Sequence, residues 1–183
     1  MSKGSSPTKD RATQRLPTRF GFLLIDDFTL ISMSSAIETL RMANRLSGED
    51  IYAWKTISES GEGVCASDGL CINADCGIDD SDVLRDIDAI IVCGGRRVET
   101  RTTEPVLRWL KKASNAGLQL GSTCTGSYVL AKAGLLDGYR CSIHWENIAS
   151  LTDMFPRVQV RRSIYTIDRD RLTSSGGTTP IDM

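Results

Sequence analysis

Cys124 is the residue of this sequence best placed to do chemistry. It follows the apolar segment 118–122 almost directly, and a helical pattern begins two residues later, at Gly126. A side chain on such a tight strand-to-helix turn is pushed out of the sheet, next to the free N–H groups of a helix start. One interpretation is a reactive thiolate with His144, the single histidine of the chain, as its base. The other, which we favour, is a thiol that lines a binding pocket without reacting.

Backbone N–H groups near Cys124 could bind the anionic part of a ligand. Gly94 and Gly95 follow a continuous apolar segment and could aim N–H groups at a ligand oxygen, or could simply form a tight turn. Thr125 could supply a further N–H group. The Arg96-Arg97 pair that follows the glycines could bind an anion, but a solvated loop is the simpler interpretation.

Three side chains could contact such a ligand elsewhere. His144 could donate a hydrogen bond to it or be a purely structural residue. Trp145 could stack on a cationic group, or pack at the start of a helix. Glu38 lies in a helical pattern among apolar residues and could pair with a cation in the crevice. It could equally lie on the helix surface, paired with Arg41 or Arg45.

The elements around these residues predict an α/β fold. The apolar runs 20–26, 88–93 and 118–122 are typical of strands buried on both faces, and helical patterns at 34–46 and 103–115 alternate with them. This order predicts a mostly parallel sheet with helices on both faces. Further strands are predicted at 51–58, 140–143, 158–161, 163–167 and 171–173, a hairpin at 64–73, helices at 126–133 and 145–154, and a helix start near residue 183. Because ligands bind at the carboxyl ends of such strands, Gly94-Gly95, Cys124 and His144 are expected to meet there.

Size and charge exclude several classes of protein. The chain has 183 residues, enough for one domain, and its net charge is −1. That balance gives no basic surface for nucleic acid or an anionic membrane, and no apolar run is long enough to span a bilayer. Residues 1–19 are polar, lack the apolar segment of a secretory signal, and are expected to be a disordered leader.

The six cysteines show no paired C-x-x-C spacing. We therefore expect reduced thiols in a cytoplasmic protein, without a metal or another cofactor. A zinc site made of Cys65, Cys71 and Cys76 is a minor alternative, because their spacing is unlike that of the common structural sites.

Several stretches together carry a more specific signal. They are FGFLLIDDFTLISMSSAIETLRMANRL (20–46), VCGG (92–95), GSTCTGSYVLAKAGLLDGYRCSIHWE (121–146), LTDMFPRVQV (151–160) and LTSSGGTTPIDM (172–183). In combination they resemble the N-terminal domain of AraC-family transcriptional regulators that have a class I glutamine amidotransferase-like (PfpI-like) fold. The resemblance covers residues 20–183. It implies a flavodoxin-like three-layer sandwich, a crevice that senses a small metabolite, a homodimer, and a C-terminal helix-turn-helix DNA-binding domain outside this chain.

The same resemblance raises the question of catalysis. Enzymes of the wider superfamily carry a carboxylate in the first strand-to-helix loop that hydrogen-bonds the thiol, and the resemblance places Ser32 at that position. Because serine cannot supply the same charge, a non-catalytic crevice is favoured. Glutamine amidotransferases use a Cys-His-Glu triad with the glutamate two residues after the histidine. Cys124, His144 and Glu146 therefore keep a cysteine hydrolase or amidase as the alternative.

The sequence thus predicts the effector-sensing and dimerisation domain of an AraC-family regulator. We expect its ligand to be an amino acid or a betaine- or carnitine-like amine, because N–H donors are combined with an acidic group and aromatic residues. The carboxylate of the ligand is expected at the N–H groups of Gly94, Gly95, Cys124 and Thr125. Its cationic end is expected near Glu38, Trp145, and Phe28 or Tyr128.

Overall fold

A seven-stranded, mostly parallel sheet forms the centre of the protein. The computed structural model describes residues 18–183. The strands are β1 (Arg19–Leu24), β2 (Ala53–Ser58), β3 (Val64–Cys65), β4 (Cys71–Ile72), β5 (Cys76–Gly77), β6 (Ala89–Cys93), β7 (Gln119–Thr123), β8 (Arg140–Cys141), β9 (Gln159–Val160), β10 (Tyr165–Asp168) and β11 (Arg171–Ser174). The helices are α1 (Leu30–Ser47), α2 (Val98–Arg101), α3 (Glu104–Asn115), α4 (Gly126–Lys132) and α5 (Ile148–Met154), with 3₁₀ turns at Trp145–Asn147 and Thr179–Ile181.

The strand order of the sheet is β10–β11–β7–β6–β1–β2–β5, and β3–β4 and β8–β9 form two separate pairs. Within the sheet only β10 and β11 pair antiparallel. The chain leaves β1 towards β2 on one side and later adds β6 on the other. The loops that follow β1 and β6 therefore diverge at the carboxyl edge, where ligands bind in such sheets.

Alternate side chains of the central strands enter two hydrophobic clusters, one on each face of the sheet. Leu23, Ile90 and Val92 pack on one face with residues of α3, α4 and α5. Phe22 and Ile91 pack on the other face with residues of α1. Every residue of β6 is buried, as expected for a central strand covered on both sides. The flavodoxin-like three-layer sandwich predicted from the sequence is confirmed.

The predicted elements are present, with shifted ends and two additions. Helix α1 begins one turn earlier than expected, because Thr29 takes the extended N-cap position directly before Leu30. The helix predicted at 145–154 is divided into a 3₁₀ turn and α5, and the helix start expected near residue 183 is the 3₁₀ turn Thr179–Ile181. Neither β5, with two residues, nor α2, with four, is long enough to show a periodic pattern.

The leader expected at residues 1–19 falls outside the described residues except at its end. Arg19 begins β1, and its guanidinium and backbone N–H both donate to the Asp88 carboxylate, at 2.9 and 3.0 Å. The Arg19 hydrogen bond holds the pKa of Asp88 well below its usual range. Within residues 18–183, no helix is long and apolar enough to cross a membrane.

The expectation of six reduced thiols is wrong for one pair. The sulfurs of Cys65 and Cys71 are bonded to each other, and the two residues face each other directly across the β3–β4 hairpin. This pairing also takes two of the three residues of the alternative zinc site. Cys76, Cys93 and Cys124 are free thiols, as is Cys141.

Close packing of α4 onto β6 gives a first prediction. A Cβ at Gly126 would overlap the Val92 carbonyl oxygen and lie 3.1 Å from the Ser122 Cβ. We therefore expect Gly126→Ala to lower the free energy of unfolding by about 2 kcal/mol or more, measured by urea denaturation. At Gly63 a Cβ would meet only the Asn73 side-chain oxygen at 3.2 Å and a carbonyl at 3.4 Å. Gly63→Ala is the control and should change stability by less than about 0.5 kcal/mol; equal effects of the two variants would contradict this account.

Candidate functional site

Cys124 lies on the tight turn that the sequence predicts, between β7 and α4. Its φ is 57°, a left-handed conformation that residues other than glycine rarely adopt. The side chain is 5% exposed, and Gly176 lies so close that a Cβ there would be 3.2 Å from the Cys124 Sγ. Such a local conformation is held only by the surrounding packing, which is a common feature of binding and catalytic sites.

Two hydrogen-bond donors are directed at the Cys124 sulfur. The Thr29 hydroxyl donates to Sγ at 3.3 Å, and the Thr125 backbone N–H is the second donor. Both stabilise a thiolate, but burial has the larger effect and raises the pKa of Cys124 above its usual value. The carboxylate of Glu146 raises this pKa further. Burial therefore favours the neutral thiol over the thiolate on which the activated cysteines of enzymes depend.

A cleft of about 340 Å³ opens beside this thiol at the carboxyl edge of the sheet. Four of the residues predicted to bind the ligand line it together: Cys124, Thr125, Gly95 and His144. The other lining residues are Thr29, Arg96, Arg97, Val98, Glu99, Glu146 and Asn147. Residues far apart in the sequence thus meet where the strand order predicts a binding site.

His144 is joined to the turn by its backbone. Its N–H donates to the Cys124 carbonyl oxygen at 3.0 Å, so the loop after β8 lies against the cysteine. Its Nδ1 is 3.7 Å from Glu146 Oε2, which is too long for a hydrogen bond. Cys124, His144 and Glu146, the residues of the alternative triad, nevertheless line the same cleft.

The two glycines after β6 have different roles. The Gly94 N–H donates to the Thr123 carbonyl oxygen at 3.3 Å, so the expectation that it faces a ligand is wrong. Gly94 is needed for packing, because a Cβ there would lie 2.7 Å from the Thr125 hydroxyl oxygen. The Gly95 carbonyl accepts from that same hydroxyl at 2.7 Å, which fixes the peptide between Gly95 and Arg96. No acceptor within residues 18–183 bonds the Gly95 N–H.

Several other predicted contact residues lie away from this cleft. The Glu38 carboxylate is on the exposed face of α1, where the Arg41 guanidinium donates to it at 2.9 Å. Trp145 is 71% exposed and lines a neighbouring groove instead. Phe28 is fully buried in the core, and Tyr128 is buried with its ring edge-on to the Phe155 ring. The expected cationic subsite of Glu38, Trp145 and Phe28 or Tyr128 is therefore not assembled.

Two residues of the cleft were not recognised from the sequence. Thr29 contacts the sulfur, whereas Ser32, one turn further along, is fully buried and its hydroxyl has no partner among the described residues. Ser32 lies in α1, and the contact to the sulfur from this part of the chain is made by Thr29, directly before the helix. For Arg96 the sequence favours a solvated loop over anion binding, and the structure places it in the lining of the cleft beside Gly95.

Asp27, in the loop after β1, is joined by hydrogen bonds to the segment after β6 that carries Arg96 and Arg97. Its carboxylate accepts from Arg97 Nη2 at 2.7 Å and from Arg101 Nε at 2.9 Å, and these arginines lower the pKa of Asp27. Its backbone carbonyl accepts from the Arg96 N–H at 2.9 Å. The charge of Arg97 is therefore paired, while the exposed Arg96 guanidinium has no carboxylate partner within residues 18–183.

The Thr29 hydroxyl gives a prediction about the reactivity of Cys124. Thr29→Val removes a donor that stabilises the thiolate, so the pKa of Cys124 should rise further. Alkylation of Cys124 by iodoacetamide at pH 8, followed by peptide mass spectrometry, should then slow by about threefold to tenfold, the effect of one hydrogen bond. Thr39→Val is the matched control, because the Thr39 hydroxyl bonds only to the Ser35 carbonyl on α1. Faster alkylation of the Thr29 variant would show that the hydroxyl shields the sulfur instead.

Similar proteins include transcriptional regulators. HTH-type transcriptional regulator GbdR of Pseudomonas aeruginosa is 50% identical over 169 residues, which are 92% of this chain and 45% of GbdR. HTH-type transcriptional regulator CdhR of the same species is 39% identical over 90% of this chain and 48% of its own length. The chain thus spans about half the length of these relatives. A more distant enzyme, isonitrile hydratase of Pseudomonas putida, is 30% identical over 69% of this chain and 52% of the enzyme.

Solved structures and a family model agree with this grouping. The crystal structure of an AraC family transcriptional regulator from Pseudomonas putida matches with a TM-score of 0.81 and 32% identity, covering 91% of this chain and 88% of the other. The model of the DJ-1/PfpI family matches residues 20–183, which is nearly all of the described chain. The chain therefore belongs to the DJ-1/PfpI family, within which its relatives include AraC-type transcriptional regulators.

Proposed function

We propose that this chain is the effector-sensing domain of an AraC-type transcriptional regulator, and that the Cys124 cleft binds a small metabolite without chemistry. One observation carries the proposal: Gly95, whose N–H has no acceptor among the described residues, and Arg96, which has no carboxylate partner there, line the same cleft as a thiol whose pKa burial raises. An enzyme of this type needs a thiolate, whereas a receptor needs only complementary polar groups.

The charges around the cleft indicate the kind of ligand. The Gly95 N–H and the Arg96 guanidinium are donors that suit a carboxylate. Glu99 and Glu146 line the same cleft, both are exposed, and no lysine or arginine within residues 18–183 forms a salt bridge with either carboxylate. Opposite charges within one small cleft favour a dipolar ligand with a carboxylate and a cationic nitrogen. An amino acid or a betaine- or carnitine-like amine has this pattern, with Glu99 and Glu146 in place of the acidic and aromatic groups expected from the sequence.

The comparisons support the regulatory part of the proposal. The curated relatives GbdR and CdhR are HTH-type transcriptional regulators, and the chain corresponds to about half of each. We propose that a further domain in the remainder of such a protein binds DNA, and that the sensing domain described here forms the homodimer. Ligand binding would then shift the balance between two arrangements of the dimer.

A cysteine hydrolase or amidase is the second candidate. It is favoured by one observation, that Cys124, His144 and Glu146 line one cleft. Two observations count against it: burial raises the pKa of the thiol, and the side chain that contacts the sulfur from the loop after β1 is a neutral threonine hydroxyl and not a carboxylate. Substitution of the cysteine separates the two candidates.

Calorimetry tests the ligand class. The panel is glycine, L-arginine, N,N,N-trimethylglycine and L-carnitine, with acetate and tetramethylammonium as half-ligands. We expect at least one dipolar compound to bind at least about tenfold more tightly than either half-ligand, because both charges are recognised. Arg96→Ala should weaken that binding by about tenfold or more. Arg108→Ala, on the exposed face of α3, is the matched control and should change it by less than about twofold. If no dipolar compound binds, the proposed ligand class is wrong.

The cysteine itself tests the absence of catalysis. In the receptor account Cys124→Ser keeps ligand affinity within about threefold, since the sulfur is a neutral lining atom. Intact-mass spectrometry of the wild-type protein with the amide of the bound compound should show no adduct. If the enzyme account holds, the Cys124 sulfur attacks the amide carbonyl and ammonia leaves, which forms a covalent thioester on Cys124, and the serine variant abolishes turnover of that amide.

A further inference from the structure

The disulfide hairpin lies directly against the loop that carries Thr29. This hairpin, residues 64–72, consists of β3, β4 and the turn between them, and is crosslinked by Cys65 and Cys71. Both cysteines are exposed, so a redox partner can reach the bond. The hairpin is far in sequence from Cys124 but close to its cleft in space.

Two backbone hydrogen bonds join the hairpin to the loop 27–29. The Asp27 N–H donates to the Cys65 carbonyl oxygen at 2.9 Å, and the Ser67 N–H donates to the Phe28 carbonyl oxygen at 2.9 Å. Phe28 pairs with Ala66 as a short parallel bridge. The hairpin thus acts as an added strand for this loop.

The loop in turn fixes the cleft. Its Thr29 hydroxyl donates to the Cys124 sulfur, and the Thr29 N–H donates to the Gly94 carbonyl at 3.0 Å. The Asp27 carbonyl accepts from the Arg96 N–H. A change in the hairpin therefore reaches both the sulfur and the arginine through two short steps.

Besides the crosslink, two backbone hydrogen bonds close the hairpin: the Ala66 N–H donates to the Leu70 carbonyl oxygen at 2.7 Å, and the Gly69 N–H donates to the Ala66 carbonyl oxygen at 3.0 Å. Its strands have two residues each, and isolated two-stranded hairpins of this size are marginal in water. Val64 and Ala66 are buried against the α1-side cluster, while Leu70 and the turn Asp68-Gly69 are exposed. The crosslink is therefore a major restraint on its shape.

From these contacts we infer that Cys65 and Cys71 form a redox switch that controls the order of the Cys124 cleft. The disulfide keeps the hairpin paired with the loop 27–29. A dithiol reductant breaks the S–S bond by thiol–disulfide exchange: two electrons and two protons pass to Cys65 and Cys71, and the reductant leaves as its own disulfide. The reduced hairpin loosens, and the loop carrying Thr29 loosens with it.

Hydrogen–deuterium exchange tests the switch without any effector. The protein purified without reductant should contain four alkylatable thiols when denatured, and six after reduction. Adding dithiothreitol to the native protein should speed exchange of the Asp27 and Ser67 amides by about tenfold or more, because both are bonded across the hairpin contact. Amides of the buried strand β6 should exchange at the same rate in both states.

The double variant Cys65→Ser/Cys71→Ser should reproduce the exchange rates of the reduced state. Cys76→Ser, which removes a free thiol, should match the oxidised state.

Three results would overturn this inference. The first is six alkylatable thiols in the protein purified without reductant. The second is unchanged exchange at Asp27 and Ser67 after reduction. The third is an equal increase of the exchange rate in β6, which would make the disulfide a general stabiliser instead of a local switch.

The meaning of the switch for effector binding rests on the proposed function: the affinity for a compound found by calorimetry should fall severalfold when the disulfide is reduced. Failure of that measurement alone, with local exchange still redox-dependent, would count against the effector and not against the switch.

Discussion

The strand-to-helix turn at Cys124 is the constraint on which the rest of the site depends. The chain passes from β7 to α4 within two residues, which forces Cys124 to a φ of 57° and brings Gly126 against the backbone of β6. Gly94 must be equally small to let the two segments approach. This close contact carries the Gly95 peptide, and with it Arg96, to the side of the thiol. Backbone packing therefore determines where the cleft lies, and the side chains determine what it can bind.

Within that frame, the balance of charge and burial decides what the cleft can do. Burial raises the pKa of Cys124, and a threonine hydroxyl with one backbone N–H does not compensate. The ionic groups lie further out, at Arg96, Glu99 and Glu146. A neutral sulfur at the base of a cleft lined by charges of both signs suits recognition of a dipolar molecule. The same backbone could support catalysis in relatives that place an acidic group at the sulfur.

The sequence predicts the fold well because its signals are local and strong. Buried strands with continuous apolar runs, and glycines at the ends of helices, give the layers and the carboxyl edge. The errors arise where orientation matters: Gly94 and Gly95 are identical in the sequence, but their peptides face different ways. The helical pattern around Glu38 predicts which residues share its face of α1. It does not show whether that face meets the cleft. The disulfide could have been found, because the hairpin predicted at 64–73 contains both Cys65 and Cys71, which face each other across its two strands.

The claim that the Cys124 cleft binds a dipolar ligand without chemistry is tested most directly by a crystal structure, determined from crystals soaked with a compound such as N,N,N-trimethylglycine. The account predicts the carboxylate at the Gly95 N–H and the Arg96 guanidinium, the cationic end towards Glu99 or Glu146, and an unmodified Cys124 sulfur. A ligand covalently bound to that sulfur, or one bound only in the groove beside Trp145, would contradict it.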